Sequence, residues 1–175
     1  SRQKAEASLK QREKDLHFLS KSATLMLSLS SIDDILHFTG KSLDAHLDKT
    51  IVLVVKVDES TMRTQLMYTS LIPDAVKKIL PANSSVVNLT KSCDVKHEYI
   101  DIYRKARLQE IEGGLEKFAE GEFSPFLLKK LQKLVALNKI YTIGFSYENH
   151  VYAAAHFLTL KGQTIQNIDF IESFI

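Results

Sequence analysis

The chain has little of several things. Its 175 residues include one cysteine, three prolines, six glycines and no tryptophan. A lone thiol, Cys93, excludes a disulfide framework within the chain and fits a reducing compartment, so a cytoplasmic setting is expected. Neither sign of charge dominates: 23 Lys and Arg face 21 Asp and Glu, a net of +2, which supplies no general field for nucleic acid or membrane. No apolar run approaches the roughly 20 residues of a bilayer span, and the polar start, Ser1 to Lys14, does not read as a signal peptide. HExxH, CxxC, GxSxG and GxxxxGK[ST] are all missing, which leaves no ready signature for an enzyme. What is present, 45% hydrophobic and 25% charged residues, suits one ordinary globular domain with or without an extension. A chain of this size buries roughly two thirds of its unfolded surface, enough to fold without a metal or a disulfide.

The N-terminal stretch differs from the rest. Between Arg2 and Ser30 there is neither Gly nor Pro, and Ala5, Leu9, Arg12, Leu16, Leu19, Ala23 and Met26 recur at spacings of three and four. That is the seam of a coiled coil over three heptads, flanked by charge. The seam is weak at Ala5 and Arg12 and richer after Leu16, as expected of a helix that begins between chains and ends against its own domain. The expected division is therefore a linker helix over 1–18 and a domain over 19–175.

Ser31, with Asp34 three residues on, resembles a capping box for a helix bearing Ile32, Ile35, Leu36, Leu43 and Leu47 on one face. Ile51–Asp58 holds five consecutive aliphatics, a strand covered on both faces, and Arg63–Ser70 returns beside it as a hairpin. Pro73 suits the first turn of a further helix and Pro81 its end, with a short strand expected over Ser84–Leu89. From Asp94 the spacing of Val95, Tyr99, Ile102, Tyr103 and Ala106 is helical, and Gly113, Gly114 and Gly121 interrupt a charge-rich middle. Ser124–Pro125 opens a helix with Leu127, Leu128, Leu131, Leu134 and Val135, which Asn138 is expected to stop. Ile140–Tyr147 and Val151–Thr159 form a second hairpin. Asn167 then opens a helix with Ile168, Ile171 and Phe174 on one side, its pattern still running at Ile175. Antiparallel hairpins separated by helical blocks give an α+β sheet domain with helices on both faces.

The segments LHFLSKSATLMLSLSSIDDILHFTGKSLDAHL, IVLVVKVD and IYTIGFSYENHVYAAAHFLTLKGQTIQNIDFIESFI, in this order, resemble a GAF domain. The likeness is to GAF modules of PAS/GAF sensor histidine kinases, particularly archaeal ones. SRQKAEASLKQREKDL is similar to the charged helix that leaves a preceding PAS domain, and FSPFLLKKLQKLVALNKIYTIGF to the helix-then-strand entry of the final hairpin. The resemblance implies a PAS-related antiparallel sheet of about six strands. One face would be backed by the terminal helices of a homodimer and the other would carry a small-molecule pocket under the middle segments. It also implies a non-catalytic sensory module whose ligand biases a downstream kinase. Ala153 stands where the family commonly has glycine, and Asp94–Gly121 matches no family motif.

For the pocket, Cys93, His97, Tyr103, Phe145 and His156 are the candidates, and for dimerisation and relay the seam residues Leu9, Leu16, Leu19, Ala23 and Met26. Cys93 and His97 are four apart, so on a helix thiol and imidazole would share a face. A single cysteine argues against the multi-cysteine methionine sulfoxide reductases of this fold, because nothing in the chain resolves a sulfenic acid. His156 lies in the apolar run Val151–Leu160, where an imidazole needs a hydrogen-bond partner or a ligand. Related GAF domains hold haem or linear tetrapyrroles through histidine and sometimes cysteine, which makes haem a candidate cofactor on Cys93 with His97 or His156. Asn138-Lys139 with Phe145 begins a cyclic-nucleotide signature, but Asn149-His150 stands where Asp-Glu would close it. A ligand-free dimerisation module is the remaining alternative.

Overall fold

A computed structural model describes residues 2–70, 72, 74–82, 84, 92–165 and 167–175, with Ala75 described by its backbone alone. Six strands form one sheet in the order β3-β2-β1-β6-β5-β4, every neighbouring pair antiparallel. They are β1 (Thr50–Asp58), β2 (Arg63–Thr69), β3 (Ser92–Asp94), β4 (Gln109–Glu110), β5 (Leu137–Tyr147) and β6 (His150–Leu160). The expected α+β class, the strand number and the long first helix all hold.

Local chemistry explains the joints. β5 turns into β6 through Glu148 and Asn149, both at positive φ (49° and 65°), the geometry of a two-residue turn whose twist matches the flanking strands. β1 turns into β2 around Asp58, whose Oδ1 accepts from the Ser60 N–H at 2.9 Å and the Ser60 hydroxyl at 2.6 Å. Helix α2 (Ile32–His46) starts at Ser31, whose Oγ accepts from the Asp34 N–H at 3.1 Å and donates to the Asp34 carboxylate at 2.7 Å. Helix α6 (Pro125–Val135) starts at Ser124, which accepts from the Leu127 N–H at 3.3 Å. The stop at Asn138 does not hold. Ala136 ends α6 in the left-handed region at φ 48°, and Leu137, Asn138 and Lys139 already belong to β5.

Alternation along the central strands splits the core into two layers. On one face Val52, Val54, Ile143, Ala155 and Phe157 meet Leu36 and Leu43 of α2 and Phe170 and Ile171 of α7 (Ile168–Phe174). α1 (Arg2–Met26) closes this layer with Phe18 and Leu19. On the other face Leu53, Val57, Leu66, Ile140, Ala154 and Leu158 meet Tyr99, Ile100 and Tyr103 of α4 (His97–Arg104), with α5 (Gly114–Phe118) beside it. α4 lies directly on β5: a Cβ at Gly144 would fall 2.2 Å from the Tyr103 carbonyl oxygen, so only glycine fits.

The domain-facing stripe of α1 is offset from the heptad seam. Asp15, Phe18, Leu19, Ser22 and Met26 turn inward, while Leu9 and Leu16 are 70% and 67% exposed and Ala23 is also exposed. Of the seam, only Leu19 and Met26 contribute to the domain. On α7, Ile171 and Phe174 of the expected side pack into the layer, while Ile168 is exposed and Phe170 is buried in its stead. The helix expected from Pro73 is the single turn α3 (Asp74–Lys77). Pro73 itself and the strand expected over Ser84–Leu89, apart from Ser84, lie outside the described residues. Among the described residues no helix is long and apolar enough to cross a membrane.

Candidate functional site

Between the sheet and the covering segments of the α4/α5 face lies a cavity of about 540 Å³. Its floor is Leu53, Val55 and Leu66 of β1 and β2 with His156 of β6; its sides are β3 with the turn into α4, and α5 with the turn 119–123. The α5 wall runs between Gly113 and Gly121, at φ 86° and 90°, where an L side chain would be strained.

Polar clasps tie the two sides together above the floor. The Tyr99 hydroxyl donates to the Lys117 carbonyl at 3.1 Å. Lys117 Nζ lies 3.1 Å from Glu98 and 3.4 Å from Glu120, and Lys96 also donates to Glu120. The Glu98 and Glu120 carboxylates hold the Lys117 ammonium above its ordinary pKa, while Lys96 and then Lys117 hold Glu120 below its own. Arg63 pairs with Asp94 at 3.7 Å. These pairs are exposed at the rim and fix geometry more than they add stability.

His156 is the chemical centre of the floor. It is 3% exposed, flanked across the strands by Leu53 and Thr142, with Phe118 edge-on at 4.8 Å and Tyr103 at 5.8 Å. Its Nδ1 has no hydrogen-bond partner among the described residues. Burial pushes its pKa down to about 3, so the imidazole is neutral at physiological pH. A neutral imidazole offers one donor and one acceptor, and an unused polar atom at this depth costs about 1–3 kcal/mol.

The five pocket candidates are not all brought together. Cys93, half-buried on β3, and His156 both line the cavity. Tyr103 packs in the layer beneath and meets His156 ring to ring. His97 is exposed at the first position of α4. The expected Cys93–His97 face does not exist, because strand ends and helix begins between them. The Cys93 thiol donates instead to Glu122 Oε2 at 2.9 Å. Phe145 lies on the opposite side of the sheet, packed into the α2/α7 layer. Sequence reasoning missed Phe118, Lys117, Glu120 and Glu122, all in the charge-rich middle that reads as a solvated helix. The one available signal there was the glycine bracket.

The residues do not fit a haem. A ligating histidine donates its second N–H to an acceptor that orients the ring, and no such acceptor stands at Nδ1 of His156 among the described residues. The cations that would meet propionates, Arg63, Lys96 and Lys117, are each already paired with a carboxylate.

No family model matches the chain, and no curated protein matches it in sequence. Solved structures do. The chromophore-binding domain of the bacteriophytochrome RpBphP3 from R. palustris superposes with a TM-score of 0.62 at 7% identity, over 93% of this chain and 58% of that one. The GAF domain of a phosphoenolpyruvate-protein phosphotransferase from Acinetobacter gives 0.56 at 15%, over 92% and 85%. The corresponding GAF domain from Coxiella burnetii gives 0.57 at 9%, over 91% and 84%. The chain thus spans little more than half of the bacteriophytochrome fragment and most of each phosphotransferase domain.

Proposed function

The chain has the fold of a GAF domain, and from that premise we propose that it is a non-catalytic sensory module that binds a small organic molecule in the cavity above His156. The observation that carries this reading is the buried, uncharged imidazole of His156 on the floor of a roomy cavity. Its volume falls within the roughly 300–1,000 Å³ usual for ligand sites. β6 links the site to the other face: His156 faces the ligand layer, while Ala155 and Phe157 on either side of it pack in the α1/α2/α7 layer. A bound molecule that prefers one packing of α4 and α5 would shift the populations of those helices.

The proposed setting is a cytoplasmic signal-transduction histidine kinase, in which the terminal helices of a homodimer carry the bias onward. Leu9 and Leu16 would face the partner. Cys93 has no catalytic part in this scheme and serves as part of the cavity wall. The test is a native mass spectrum of the purified protein, wild type and His156→Phe, with sedimentation of Leu9→Glu/Leu16→Glu. The expected result is a retained molecule lost in His156→Phe, and a dimer lost in the seam variant. A chain that stays apo after incubation with cell extract, yet dimerises, would favour the ligand-free dimerisation module.

A further inference from the structure

We infer that the cavity selects an uncharged, mainly apolar molecule with a single hydrogen-bonding group, of the class of medium-chain alcohols or amides, its polar end on His156 and its chain in an adjoining apolar pocket. The inference rests on the reading of the cavity as a ligand site and narrows it to a class.

Three observations converge. First, the deeply buried polar side chain on the cavity floor among the described residues is neutral: His156 can exchange one hydrogen bond but cannot balance a charge at physiological pH. Second, the charges that border the cavity are committed to one another. Lys96 and Lys117 are held by Glu120 and Glu98, Arg63 lies beside Asp94, and the Glu122 carboxylate accepts from the Cys93 thiol. A charged ligand at His156 would surrender its hydration to a neutral imidazole among Leu53, Tyr103 and Phe118, while the rim charges already face one another. Third, a second pocket of about 110 Å³ lies against the first, with Leu53, Phe118, Ala119 and Phe123 lining both. Val76, Leu131, Val135 and Leu158 close it, and no polar surface reaches its interior. A molecule whose hydroxyl or amide sits at His156 and whose far end occupies this second pocket must place an apolar chain there.

The test uses titration calorimetry at about pH 7.5 with 1-hexanol, 1-octanol, 1-decanol, octanoate and octylammonium on the whole chain. Affinity is expected to rise about fourfold per methylene across the alcohols. Octanoate and octylammonium should bind at least about tenfold more weakly than octanol. His156→Phe should weaken octanol about fivefold, and His156→Gln, which keeps a hydrogen-bonding group, should recover most of that loss. Val135→Phe should remove the gain from octanol to decanol and leave hexanol unchanged; circular dichroism checks that each variant folds. Octanoate or octylammonium binding as tightly as octanol overturns the inference and leaves the ligand-site reading standing. Failure of all five probes to bind also overturns it. The ligand-site reading is then decided separately by whether wild type, and not His156→Phe, retains a molecule of another class in the native mass spectrum.

Discussion

Mild acid should destabilise this domain before its carboxylates titrate, and His156 is the reason. In the unfolded chain its imidazole takes up a proton as the pH falls through 6.5, whereas burial delays protonation in the fold until about pH 3. Between those values the unfolded state binds the extra proton, so stability falls as the pH falls. The contribution is complete above 6.5. At about 1.4 kcal/mol per pH unit below it, roughly 2 kcal/mol is gone at pH 5. For a chain of this length that is about 4–8 °C in Tm. Glu59, Glu120 and Glu172 sit below the ordinary 4.5, so what they contribute leaves only at lower pH and does not blur the window. For Glu59, burial works upward, but the Val151 N–H and Arg104 outweigh it. The assay is scanning calorimetry of wild type and His156→Phe at pH 7.5 and 5. His156→Phe keeps an aromatic ring beside Phe118 and carries no proton, so its Tm should drop less than that of wild type by the stated amount. Equal drops in the two proteins would refute the argument.

Three further perturbations probe the scaffold around the sheet. Gly144→Ala pushes a methyl into the Tyr103 carbonyl and should cost about 2–3 kcal/mol by urea denaturation, with α4 displaced. Gly162→Ala, with nothing within 4 Å and only its φ of 80° to oppose it, should cost about 1–2 kcal/mol. Asp44→Ala removes the acceptor of the Tyr68 hydroxyl at 2.6 Å and of the Ser70 hydroxyl at 2.5 Å, the latter itself holding the Val52 N–H at 2.8 Å. Loss of this chain between α2, β2 and β1 should cost about 3 kcal/mol in the same assay, and a loss under about 1 kcal/mol would mean that water replaces the carboxylate.

How much of this was legible in the sequence depended on whether an element was long enough to show a period. β1 and β6 were readable because helices cover both sides, so their aliphatic runs are unbroken. Ser31 and Ser124 were readable because caps act locally. β3 and β4, at three and two residues, are too short to leave a pattern. The short β3 also undid the Cys93–His97 reading, since a spacing of four means a shared face only inside one helix. Phe145 and His156 fell on opposite faces for a related reason. Where a strand is apolar on both sides, alternation shows that faces exist but not which one holds the cavity, and a register shift between Phe145 and Ser146 breaks the count. On α1, Ser22 is buried and Leu16 exposed, the reverse of what hydrophobicity alone suggests; under the proposed relay the helix answers two demands at once, its own domain and a partner.

Those two demands supply the sharpest test of the proposed relay. If ligand and partner both act on the α1/α2/α7 layer, their free energies must be coupled, and coupling is reciprocal. Phe18 of α1 stacks within 5.6 Å of Phe170 and 5.5 Å of Phe174 on α7, while His46 of α2 lies 4.1 Å from Phe170 and 3.1 Å from Asp15 of α1. In the proposed relay this knot is where a change in β6 packing would reach both terminal helices. A factor by which ligand tightens the dimer must therefore equal the factor by which dimerisation tightens ligand, about 5–150-fold for typical allosteric couplings. Leu9→Glu/Leu16→Glu changes only exposed positions, so it should leave the cavity and the fold intact while lowering ligand affinity by that factor. Phe18→Ala should preserve the dimer seam but shrink the factor toward one. Identical ligand affinity in the seam variant and in wild type, measured well above the dimer dissociation constant, would mean that binding and pairing share a chain without sharing a switch.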